Sequence, residues 1–127
     1  MAFTPSAMTA ITLFVEDLEA AKEFYARAFG LPFVFEDDAS AVFRIGETVV
    51  NLLRSTSADE LVAPARVAGP ADGTRALLTI TVEDVDAVCA ELRARGVELL
   101  NGPMDRPWGI RTAAFADPSG HVWEIAH

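Results

Sequence analysis

Glu124 is the side chain of this sequence best suited to chemistry in a cleft. It stands in DPSGHVWEI, residues 117–125, between Trp123 and Ile125. In a strand, alternation would turn those two apolar residues to a core and the carboxylate to the opposite face. A carboxylate so placed can serve as a general base, anchor a cationic or hydroxylated ligand, or simply bond Arg111, Arg44 or water. Trp108 and Arg111 fall in PWGIR, residues 107–111, where an aromatic wall and a guanidinium could grip an anionic or carbonyl group. The same motif would also suit a loop anchor packed over a cavity mouth or a partner subunit. Of Phe14, Phe43 and Phe115, strand parity directs Phe14 toward a pocket.

Other chemistry is thin. His121 follows a turn and shares parity with Trp123, so it is expected at a sheet edge away from the cavity. His127 ends the chain and is expected to fray. Cys89 belongs to an apolar helical stripe, where a buried thiol is inert. Phosphate-binding glycine loops, a G-x-S-x-G elbow and H-E-x-x-H are all missing.

These residues are positioned by a repeat. ITLFVEDLEA, residues 11–20, resembles LTITVEDVDA, residues 78–87. Each copy reads as a strand, then Val-Glu-Asp, then a helix ending at Gly30 or Gly96. Asp17 and Asp84 are natural N-caps. Leu18, Ala21 and Tyr25 recur at helical spacing, as do Val85, Val88, Cys89 and Leu92. Three extended stretches are expected after each helix, near 31–37, 41–45 and 47–54, then near 97–102, 110–116 and 121–126. Residues 55–74, rich in Ala, Pro, Gly and Asp, read as a surface linker or lid. The expectation is one α+β domain over 1–127, with module one at 8–54 and module two at 75–127. Each βαβββ module sets one helix against one face of a four-stranded sheet and leaves the other face concave.

Composition narrows the partners. The 127 residues carry ten Lys plus Arg against nineteen Asp plus Glu, a formal charge of −9, with half the chain hydrophobic. Such acidity argues against nucleic acid, which requires a basic patch. One cysteine excludes an intrachain disulfide framework and fits a reducing cytoplasm. No apolar run approaches the ~20 residues that cross a bilayer, and the start lacks a secretory pattern.

The doubled pattern, with VEDLEAAKEFY at 15–25 and DPSGHVWEI at 117–125, resembles the vicinal oxygen chelate superfamily of glyoxalases, extradiol dioxygenases, fosfomycin-resistance enzymes and bleomycin-resistance proteins. The resemblance spans Met8 to Ala126. It implies a pair of half-barrels around a small-molecule cavity, a homodimer, and in many members a divalent metal. The four family ligand places fall on Ala10, Asn51 (or Val50, one residue away), Leu77 and Glu124. Of these only Glu124 is of a ligand type, and a catalytic metal generally needs about three protein ligands. The expectation is therefore no cofactor and no metal. Phe14, Asn51, Trp108, Arg111 and Glu124 are expected to line a cavity that sequesters an aromatic or cationic small molecule. Two enzymatic alternatives stand beside it: a metal-dependent lyase, isomerase or dioxygenase, and a metal-free acid–base enzyme using Glu124.

Overall fold

The computed structural model describes residues 3–127; Met1 and Ala2, with which the expected domain span begins, lie outside the described residues. Eight strands form two four-stranded sheets. Sheet one has the order β1 (Ala10–Val15), β4 (Thr48–Arg54), β3 (Ser40–Ile45), β2 (Phe35–Glu36). Sheet two repeats it with β5 (Leu77–Thr81), β8 (Val122–Ala126), β7 (Arg111–Ala116) and β6 (Leu99–Asp105). In each, the first strand pairs parallel with the last and the others antiparallel. This is the α+β pair of repeated modules that the internal repeat predicts.

The helices follow from their ends and stripes. In α1 (Leu18–Phe29), the Asp17 carboxylate accepts from the Ala20 N–H at 3.0 Å, and Gly30 closes the helix in the left-handed region at φ +65°. In α3 (Val85–Ala94), Asp84 accepts from the Ala87 N–H at 3.1 Å. Its end is a Schellman motif, with Val97 N–H donating to Leu92 O and Gly96 N–H to Arg93 O. Both helices start with acidic and end with basic side chains, as the helix dipole favours.

One apolar core serves both modules. From α1, Phe24, Tyr25 and Phe29 reach across to sheet two, with Phe29 and Trp123 ring centroids 5.2 Å apart and Phe24 and Phe115 6.1 Å apart. Tyr25 also sits 5.3 Å from Phe43 of sheet one. Helix α1 is thus packed between the two sheets, and Leu13, Val15, Leu52, Val85, Cys89 and Ile125 complete the same cluster. Burying a side chain of this size contributes roughly 1.5–3 kcal/mol, so the aromatic layer binds the modules into one body.

Two expectations need correction. The second strand, expected over 31–37, is only Phe35–Glu36, and it ends where Asp37 makes a tight turn: its carboxylate accepts from the Ala39 and Ser40 N–H groups and the Ser40 hydroxyl. Those bonds hold the Asp37 carboxyl below its ordinary pKa. Strand β6 does not stop at Gly102 but runs through Gly102–Pro103 to Asp105, by shifting register against β7. The linker at 55–74 holds α2 (Asp59–Val62) and two single 3₁₀ turns.

Candidate functional site

The faces turned away from the helices carry matching polar pairs. Thr12 on β1 stands beside Asn51 on β4, and Thr79 on β5 beside Glu124 on β8. The pairs hold the same place in their modules. Val50 is buried on the helix side, so register puts Asn51, not Val50, on the outer face. The Thr79 hydroxyl donates to Glu124 Oε1 at 3.0 Å. The buried Asn51 Oδ1 has no hydrogen-bond partner among the described residues. Around the second pair lie exposed apolar side chains, Leu77 at 52% and Leu100 at 57%.

Because α1 lies between the sheets, their outer faces point away from each other. One chain therefore does not bring Asn51 to Glu124. The donor chemistry also fails the requirements of a divalent metal. Ala10, level with Val49, and Leu77, level with Val122, supply no donor atom to the outer faces. No three His, Cys, Asp or Glu residues cluster among the described residues. The chain's own residues do not fit the metal that the family resemblance implies.

Arg111 and Trp108 lie away from both pairs. Arg111 shares parity with Ala113 and Phe115, so its side chain leaves the sheet on the helix side. There its Nε and Nη2 donate to the two oxygens of Asp86 at 2.8 and 3.0 Å, and Nη1 donates to Asp105 at 3.1 Å. The guanidinium holds the Asp86 carboxyl below the usual carboxylate range. This fork clamps the first turn of α3 to the sheet edge. The period-two pattern of 111, 113 and 115 is the sequence signal that indicates the placement. Arg111→Gln is expected to lower Tm at low ionic strength, with the difference shrinking as salt is raised. A calorimetric series showing no Tm change at any salt would refute the clamp. Trp108, 69% exposed, occupies the β6–β7 turn, which is closed by Gly109 N–H to Arg106 O at 3.0 Å.

The histidines are both engaged. The His127 Nδ1 accepts from the Val85 N–H at 3.0 Å, and its backbone exchanges two hydrogen bonds with Arg111, so the residue expected to fray is paired. The His121 Nε2–H donates to the Phe14 carbonyl at 2.7 Å across the seam between modules. Phe14 and His121 both line a cavity of about 420 Å³ at that seam, so His121 faces a cavity that the strand parity did not suggest. Cys89 is fully buried, and burial pushes its thiol pKa up.

A buried polar chain near the seam was hidden from pattern reading. The Trp123 indole donates to the Tyr25 hydroxyl at 2.9 Å, and that hydroxyl donates to Asp117 Oδ2. Asp117 Oδ1 accepts from the Ser119 and His121 N–H groups, both at 2.9 Å. DPSG signals a turn, but nothing local says that its aspartate is buried under a helix. The lone tyrosine on an apolar stripe, whose hydroxyl must find a partner, is the available hint.

Comparison with known proteins agrees with this architecture. The family model described as the Glyoxalase/Bleomycin resistance protein/Dioxygenase superfamily matches residues 7–125. The uncharacterized protein YraH of Bacillus subtilis is 36% identical over 120 residues, covering 91% of this chain and 93% of that one. A crystal structure of a glyoxalase/bleomycin resistance protein/dioxygenase from Nocardioides superposes with a TM-score of 0.87 at 26% identity, over 98% of this chain and 85% of the other. A glyoxalase-related enzyme from Fulvimarina pelagi gives 0.81 at 28%, over 96% and 88%.

Proposed function

The chain belongs to the glyoxalase/bleomycin resistance protein/dioxygenase superfamily, and from that premise we propose that it is a metal-independent small-molecule-binding protein acting as a homodimer. The observation that supports this most directly is the pairing of unfilled acceptors on uncovered apolar faces. Among the described residues the buried Asn51 Oδ1 has no donor, and Glu124 accepts one hydrogen bond, from Thr79. Two acceptors framed by Leu77, Phe14 and Val122 suit a ligand with an apolar body and O–H or N–H donors. A planar cation meets that description, and the −9 charge would draw it in. Pairing the first face of one copy with the second face of another would bring Asn51 opposite Glu124 and cover the exposed leucines. Trp108, at its turn tip, would then pack at the joint. In this reading the one-domain span from 1 to 127 acts as a unit in the cytoplasm.

An acid–base role for Glu124 receives less support, because Arg111, which would steady a developing oxyanion, is committed to Asp86 and Asp105. A metal-dependent reaction is disfavoured by the donor set at Ala10 and Leu77.

Shared sites predict a complementation. Proflavine is expected to quench tryptophan emission saturably, and Glu124→Gln to weaken it roughly tenfold or more through loss of a charged hydrogen bond. Co-expressed Asn51→Leu and Glu124→Gln chains, isolated as mixed dimers, should regain one native site per dimer. Mixed dimers no better than either variant alone would reject the shared site, and a monomer in sedimentation would reject it outright. A Tm rise of several degrees with nickel, zinc or manganese would instead favour the metal-dependent reading.

A further inference from the structure

The seam cavity has a different chemical character from the outer faces. It lies within one chain, walled by β1, by the start of β8 and by the linker, with Ile11, Phe14, Val67, Leu78 and Val122 among its apolar surfaces. Its volume, about 420 Å³, falls within the range of small-ligand sites. The start of the linker is tied to the end of β1, where Ser55 Oγ donates to Glu16 Oε2 at 3.1 Å, and its second limb is folded on itself by Gly69 N–H donating to Asp72 Oδ2 at 2.7 Å. Pro70 lies against Gly120, at the far wall.

Arg66, from the linker, and Arg75, just ahead of β5, also line this cavity. In a chain with nearly twice as many acidic as basic residues, neither has an ion-pair partner among the described residues; the ion pairs go to Lys22, Arg27 and Arg111. The only carboxylate among the lining residues is Glu16, already bonded to Ser55. Both guanidiniums are exposed at the edge of an apolar hollow and free to take up an anion. Arginine suits that task, since its fork donates two parallel hydrogen bonds to a planar or tetrahedral anion. His121, its ring fixed by the Phe14 carbonyl, adds a flat wall without supplying a negative charge.

The geometry points to a second binding site, at the seam between the modules beneath the linker, for a small apolar molecule carrying one anionic group. The apolar body fills the hollow between β1 and β8, and the anion meets Arg66 and Arg75. This site is formed within one chain; it shares the Phe14 and Val122 walls with the outer faces but neither Asn51 nor Glu124. Its ligand preference is opposite in sign to that of the outer faces.

Two probes that share an apolar frame isolate the charge. 8-Anilinonaphthalene-1-sulfonate carries a sulfonate, and N-phenyl-1-naphthylamine is its uncharged counterpart. Titrated into the wild-type protein by fluorescence, the sulfonate is expected to bind at one equivalent per chain, at least tenfold more tightly than the neutral probe. In the Arg66→Gln/Arg75→Gln variant the sulfonate should fall to the affinity of the neutral probe, which itself stays unchanged. Arg75→Glu, a single substitution at an exposed position, should weaken the sulfonate and spare the neutral probe. Glu124→Gln should leave both probes as in the wild type, so the two sites succeed or fail separately. Equal affinity of the two probes for the wild type, or unchanged sulfonate binding in the double arginine variant, would overturn the assignment.

Discussion

Asp117→Ala is expected to cost roughly 3–5 kcal/mol, with a fall in Tm on the order of 10 °C or more. Asp117 is 5% exposed, and its carboxylate accepts three hydrogen bonds, from the Ser119 and His121 N–H groups and the Tyr25 hydroxyl. Alanine satisfies none of them, and each stranded donor in a buried site costs about 1–3 kcal/mol. The loss also spreads. Tyr25 is the acceptor for Trp123, and the ring contacts of Tyr25 and Trp123 join α1 to sheet two. Tyr25→Phe removes one hydroxyl while keeping the ring, so it should cost less, about 1–3 kcal/mol. A denaturation series in which Asp117→Ala matched the wild type would remove the network from any account of stability.

The same network sets an alkaline limit. Burial, and after it the negative Asp117, raises the Tyr25 phenol far above its ordinary pKa of 10.0. A group whose folded pKa is raised adds stability that is fully present below the unfolded value and disappears as pH climbs beyond it. Stability should therefore fall above pH ~10 by up to about 1.4 kcal/mol per pH unit on account of this one residue. Tyr25 is the single tyrosine of the chain, so phenolate absorbance reports it alone. Its appearance should coincide with loss of near-ultraviolet dichroism. Tyr25→Phe should flatten the alkaline slope relative to the wild type, and equal slopes would contradict the assignment.

Gly102→Ala is the second large effect, expected at about 3 kcal/mol or more. Gly102 sits at φ +83° in the register shift of β6. A Cβ there would run into the Thr112 carbonyl oxygen and come within 2.7 Å of Ala113 Cα. Both obstacles are backbone of the neighbouring strand and cannot rotate aside. Gly30 provides the control: it too has positive φ, +65°, but a Cβ meets nothing within 4 Å. Gly30→Ala should therefore carry only the conformational cost of the left-handed region, about 1 kcal/mol. Chemical denaturation of the two variants separates strain from collision, and similar losses in both would show that the collision is absent.

Much of this architecture is written locally. The duplicated strand-helix segments, the caps at Asp17 and Asp84, and the alternation that sorts Glu124 from Trp123 all depend on neighbours a few residues away. Periods of two and 3.6 are geometric properties of the backbone, so they survive reading without a partner. The alternation of Arg111 with Phe115 was equally readable, yet its loop-like setting suggested a site instead. Its actual partner, Asp86, lies 25 positions away, and nothing local identifies it.

What tertiary structure alone decided is how the two modules meet. Alternation assigns each sheet a helix face and an outer face, but it does not say whether the helix faces are turned outward or toward one another. Here Phe24, Tyr25 and Phe29 contact the second sheet, so the helix faces are shared and the outer faces separated. That choice sets Asn51 and Glu124 on faces turned apart and leaves a cavity at the seam under the linker, with Arg66, Arg75 and His121 among its lining residues. It also buries Asp117 beneath α1, 92 residues from the hydroxyl that it accepts. Such placements arise from packing large side chains in three dimensions, where burial is gained across the whole chain and no short stretch of sequence records the partner.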